Sequence, residues 1–103
     1  MRYRFRSTKL QQLYETEAEA RRYPLEVVDG FFEAMAVIKA ATDERDLYAL
    51  KGFHFEKLKG TRGKAGERSL RLNRQWRLIV RVEQDAQGKL ILILDIERHY
   101  NEG

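Results

Sequence analysis

The chain contains no cysteine, which removes disulfides and thiolate metal sites from consideration and suits a reducing compartment. Histidine is scarce too, with only His54 and His99, and both fall outside the predicted helices that could set them beside carboxylates. No metal site can be read from that set, and no cofactor is expected. Phosphate-binding glycine loops, a nucleophile elbow and a dinucleotide fingerprint are all missing. Long apolar runs are missing as well. The longest, Leu90 to Leu94, has the length of a strand, far short of the roughly 20 residues that span a bilayer. The basic start, MRYRFRSTKLQQ, has no apolar segment behind it and does not read as a secretory signal. These absences point to a cytoplasmic protein with no membrane partner. Its 103 residues, 43% of them hydrophobic, are expected to form one domain over 1–103.

One further shortage is local. From Lys57 to Arg81 the only acid is Glu67, against nine basic residues: Lys57, Lys59, Arg62, Lys64, Arg68, Arg71, Arg74, Arg77 and Arg81. That stretch carries +8, so in a chain of net charge +4 the remainder carries −4. A concentrated field of one sign favours a polyanion, because each neutralised phosphate releases condensed counterions.

The pattern of elements begins with Arg2-Tyr3-Arg4-Phe5-Arg6, whose alternation is that of a half-buried strand. Ser7 or Thr8 can cap a helix from about Lys9 to Arg22, with Leu10, Leu13, Tyr14 and Ala18 as its apolar stripe. Tyr23-Pro24 interrupts it, and a second helix is predicted from Leu25 to about Ala41, burying Val28, Phe31, Phe32, Met35 and Ile38. Gly30 within that helix weakens it but permits close packing. A short helix, Asp43 to Leu50, follows. The pattern then changes to strands: Phe53–Lys59, Arg68–Leu72, Trp76–Val82 and Lys89 to about Glu97. Gly60 to Gly66 reads as a flexible basic loop, Asn73-Arg74 as a tight turn and Asp85 to Gly88 as another. The sum is an α+β domain, an N-terminal strand and helical hairpin packed on a twisted antiparallel sheet of four to five strands.

Alternation puts Trp76, Leu78, Val80 and Val82 on the core face of their strand, with Arg77 and Arg81 on the other. Ser69 and Arg71 join them from the preceding strand. The helices cover the apolar face, so the opposite face is expected to be open and basic, flanked by Lys59 and the glycine loop. Planar guanidinium groups there could grip a phosphodiester backbone. Trp76 shares the register of Leu78 and Val80, which favours burial over base stacking. His54 lies between Phe53 and Phe55 and opposes both.

Phe55-Glu56-Lys57-Leu58-Lys59-Gly60, the basic loop, and Glu67-Arg68-Ser69-Leu70-Arg71-Leu72-Asn73-Arg74-Gln75-Trp76-Arg77-Leu78 resemble the HigB-type toxins of the RelE/ParE superfamily. The resemblance runs from Phe53 to the end, about half the chain. It implies a RelE-like fold and a toxin of a type II toxin–antitoxin pair. Such a toxin would be held by a HigA-type helix-turn-helix antitoxin and, through that complex, linked indirectly to operator DNA. It also implies metal-independent endoribonuclease activity on messenger RNA, generally in the ribosomal A site. In that chemistry the ribose 2′-hydroxyl attacks phosphorus while a base, an acid and cations assist. Arg77, after the tryptophan, and Lys59, in leucine-lysine-glycine, match family positions for phosphate stabilisation. His99 is the acid/base candidate, with Tyr100 assisting, and Lys57, Arg62, Lys64, Arg68, Arg71 and Arg81 are candidate RNA contacts.

The C-terminus departs from the family pattern, aspartate-tyrosine-histidine, by reading Glu97-Arg98-His99-Tyr100. Either the terminal segment lies differently or the proton-transfer roles have moved. Two other readings stay open on that account. One is a ParE-like inhibitor of a protein target such as gyrase. The other is a partner that only binds nucleic acid with its antitoxin.

Overall fold

The computed structural model describes residues 1–98. It is an α+β arrangement in the order β1 (Arg2–Phe5), α1 (Thr8–Thr16), α2 (Leu25–Ala40), α3 (Glu44–Ala49), β2 (Glu56–Lys57), α4 (Gly60–Lys64), β3 (Glu67–Arg71), β4 (Trp76–Asp85) and β5 (Gly88–Arg98). The five strands form one sheet ordered β1-β5-β4-β3-β2. β2 to β5 run as an antiparallel meander, while β1 joins β5 in parallel, which makes the sheet mixed.

Local chemistry accounts for the helix ends. The Ser7 hydroxyl accepts from the Leu10 N–H and starts α1, and Glu17, at φ 59°, ends it five residues before the expected Arg22. Only a single 3₁₀ turn, Ala20–Arg22, follows, so Ala18 lies outside the helix and is exposed. Asp43 caps α3, in a reciprocal box with Asp46.

The core lies between one sheet face and the helices. Leu10 and Leu13 of α1, Val27, Phe31, Met35 and Ile38 of α2, and Leu70, Leu78, Val80, Ile91 and Ile93 of the sheet are fully buried. Each such side chain contributes about 1.5–3 kcal/mol. Tyr3 and Phe5 of β1 join Tyr14, Phe31 and Phe32 in edge-on, tilted and stacked ring contacts. Trp76 packs edge-on against Tyr23, with ring centres 6.0 Å apart, on this helical side. Gly30 makes the close fit possible: a Cβ there would stand 2.4 Å from the Leu72 carbonyl oxygen.

Two predicted elements come out differently. Phe53 belongs to a 3₁₀ turn, Lys51–Phe53, and His54 takes a left-handed conformation at φ 45°, so the expected Phe53–Lys59 strand shrinks to Glu56–Lys57. The glycine loop folds as the short helix α4. Its glycines are poor helix formers, but Gly63 sits where a Cβ would meet the Leu58 carbonyl oxygen at 1.8 Å. Backbone contact there outweighs propensity.

A bulge in β5 shapes the other face. Ile79 pairs with Asp95 and Val80 with Ile93, which leaves Leu94 as the extra residue. Ile91, Ile93 and Ile96 therefore all reach the core, and Asp95 and Glu97 move to the face away from the helices. No helix among the described residues is long and apolar enough to cross a membrane.

Candidate nucleic-acid interface

The face away from the helices gathers Glu56 from β2, Glu67, Ser69 and Arg71 from β3, Arg77, Ile79, Arg81 and Glu83 from β4, and Leu90, Leu92, Asp95 and Glu97 from β5, by cross-strand register. It is not simply open. Ile79 and Ser69 are 3% exposed. Long arginine side chains can shield such a sheet surface with their aliphatic stems.

Arg71 and Arg77 are direct cross-strand partners. Neither has an ion pair among the described residues, and Arg77 donates only a long bond, 3.4 Å, to the Asn73 carbonyl. Arg77 is 8% exposed. Burial lowers its pKa from the usual arginine value; the neighbouring Arg71 charge adds to this and Glu56 partly offsets it. The Arg71 Nε is buried with no hydrogen-bond partner. Its Nη1 lies 3.3 Å from His54 Nε2. Guanidinium can only donate, so a hydrogen bond here uses that imidazole nitrogen as acceptor. The left-handed turn at His54 delivers its ring to this corner, and the period-two reading of the segment could not foresee that.

The neighbouring cations from α4 and β4, Arg62 and Arg81, are already occupied. Arg62 of α4 donates through Nε to Glu67 at 2.9 Å and forks both terminal nitrogens onto Glu97 at 3.1 and 2.9 Å. Those hydrogen bonds raise its pKa, Glu97 contributing most. Since Glu67 and Glu97 belong to strands on either side of β4, the Arg62 guanidinium bridges across that strand. Arg81 is shared between Glu83 at 3.3 Å and Glu67 at 3.9 Å.

The sequence-predicted contacts therefore separate. Arg71, Arg77, Arg62 and Arg81 share one face, the first two unneutralised and the last two paired. Lys57 and Arg68 pair with each other on the opposite side, where Arg68 donates to the Tyr48 hydroxyl at 3.2 Å, so they do not stand beside Arg77. Lys59 is the exposed N-cap of α4, and Lys64 is exposed in its last turn. His99 and Tyr100 lie outside the described residues. Glu56 is a group that sequence reasoning missed; its signal was alternation with Lys57, which sends it to the arginine face. No group of three or more histidine, cysteine or acidic residues among the described residues could hold a metal ion.

This architecture is that of the RelE/ParE toxins. It is similar to a solved YoeB/ParE toxin from Agrobacterium tumefaciens, with a TM-score of 0.57 and 19% identity, covering 97% of this chain and 100% of that one. The family model described as RelE-like toxin of type II toxin-antitoxin system HigB matches residues 3–96, and the chain belongs to this HigB-like toxin family. It is thus a type II toxin, and that class implies an antitoxin partner. No curated protein sequence matches the chain.

Proposed function

We propose that this toxin is an endoribonuclease that cleaves messenger RNA, on the ribosome, at the Arg71–Arg77 corner. The observation that carries the reading is the adjacency of two guanidinium groups with no carboxylate between them, one of them buried enough for its own charge to be disfavoured. Buried like charges are costly unless an anion joins them. A phosphodiester supplies that anion, and the charge on its nonbridging oxygens grows as the 2′-hydroxyl attacks. Arg77 and Arg71 would then bind the transition state more tightly than the ground state.

The attack breaks the bond from phosphorus to the 5′-oxygen and leaves a 2′,3′-cyclic phosphate. It needs a proton acceptor at the 2′-hydroxyl and a donor at the leaving oxygen. Glu56, His54 and Glu97, the last held by Arg62, are titratable groups that stand beside the arginines here. His99, with Tyr100, keeps the proton-transfer role the family resemblance implies, and Lys59 keeps phosphate stabilisation. A HigA-type antitoxin in a neighbouring reading frame would fit this assignment. The direct test is a translation reaction with purified toxin. Message cut at the A-site codon supports the reading, and intact message refutes it. Gyrase inhibition without cleavage would select the ParE-like reading instead.

A further inference from the structure

Arg2, Arg4 and Arg6 alternate with Tyr3 and Phe5, whose rings enter the core. β1 pairs in parallel with β5, Arg2 beside Leu90 and Arg4 beside Leu92, so the arginines share the face that carries Arg77 and Arg81. Arg6 follows β1 at a bend, and its N–H donates to the Ile93 carbonyl at 2.9 Å, which holds it against the end of the β1–β5 pairing. This row lies outside the basic stretch from Lys57 to Arg81.

Its members differ. Arg2 is forked onto Asp85 at 3.0 and 2.7 Å and is spent. Arg4 reaches Asp85 only at 3.9 Å, and its side chain is 65% exposed. Arg6 is exposed and has no ion pair among the described residues. Beneath the row, Leu90 and Leu92 are buried, so the surface offers cations and no apolar anchor of the kind protein partners use. Between the row and Arg77 lie Asp95 and Glu97, the latter already held by Arg62. β1 and β4 are two strand spacings apart, roughly 10 Å.

We propose that Arg4 and Arg6 form a second phosphate-binding rail on this face, gripping the RNA that continues from the Arg71–Arg77 corner. The proposal rests on the RNA reading of that corner. It assigns the acidic strip between the two cationic regions the role of keeping phosphates to either side. Arginines present only to discourage pairing at the β1 edge would have no such effect.

The experiment measures binding of the full chain to a short single-stranded RNA carrying 2′-O-methyl groups, which cannot be cleaved, as salt is varied. Each phosphate contact on single strands contributes about 0.7 to the slope of log affinity against log salt. Arg4→Ala/Arg6→Ala should lower that slope by about 1.4, so that raising salt from about 50 to about 200 mM costs the variant about 7-fold less affinity than the parent. Arg4→Lys/Arg6→Lys should retain the slope. Arg21→Ala/Arg45→Ala, an equal charge change on the helices, should leave it unchanged. An unaltered slope in the first variant, or an equal fall in the helix control, overturns the rail while leaving the corner intact. A parent protein that does not bind the RNA overturns both.

Discussion

Two regions of one sheet face use arginine in opposite ways. At the start of β4, Arg77 stands beside Arg71, neither has an ion pair among the described residues, and burial disfavours the Arg77 charge. Nearby, Arg62 and Arg81 are bound to Glu67, Glu83 and Glu97, and hydrogen bonding strengthens the Arg62 charge. One region is built to receive an anion and the other has its anions supplied from within. The difference shows why counting charge along a chain overstates free charge. Of the nine cations in the basic stretch, two are neutralised on this face, partly by Glu97, which lies well outside that stretch.

The comparison can be broken most sharply at Arg77. Arg77→Ala should slow single-turnover RNA cleavage by on the order of 10²–10³-fold, the effect of removing one preorganised charge-stabilising donor. Undiminished cutting would strip the corner of its role. The next effect is on stability: Gly63→Ala forces a methyl group against the Leu58 carbonyl and should cost about 1–3 kcal/mol in urea denaturation. An unchanged midpoint would mean that α4 can shift freely and that the Arg62 network is not fixed by its seat.

Glu97→Gln should cost under about 1 kcal/mol, because the fork is well exposed. By leaving Arg62 with Glu67 as its remaining carboxylate it should raise the RNA salt slope by up to about 0.7, whereas Arg62→Ala should leave the slope as it was. If Arg62→Ala lowers the slope as far as Arg77→Ala does, the two regions are alike and the distinction fails.

The smallest effect concerns acid stability at the far end of the face. Arg2 hydrogen bonding holds the Asp85 carboxyl down at about 2, below its ordinary 3.8. A lowered carboxyl favours the folded state above the ordinary value and loses that advantage as pH falls through about 2. Melting curves between about pH 5 and about pH 2 should therefore converge for the parent and Asp85→Asn at the acid end. A gap that persists unchanged at the lowest pH would assign the difference to packing rather than to charge.

Periodicity was sufficient for much of the fold. The alternation of Arg2 to Arg6 and of Trp76 to Val82, and the helical spacing of Val28, Phe31, Met35 and Ile38, reflect which side chains must leave water, and that requirement acts locally. The serine-leucine-arginine-leucine-asparagine and glutamine-tryptophan-arginine patterns likewise placed Arg71 and Arg77 together on one face. What no local rule could supply was the Leu94 bulge, the left-handed turn at His54, the helix at Gly60–Lys64 and the parallel docking of β1. Each depends on contacts between segments far apart in the chain, such as Gly63 on the Leu58 backbone or Arg62 on Glu97. Those contacts decide which cations are spent and which remain for a ligand, because ion pairing follows distance in space and is indifferent to distance along the chain.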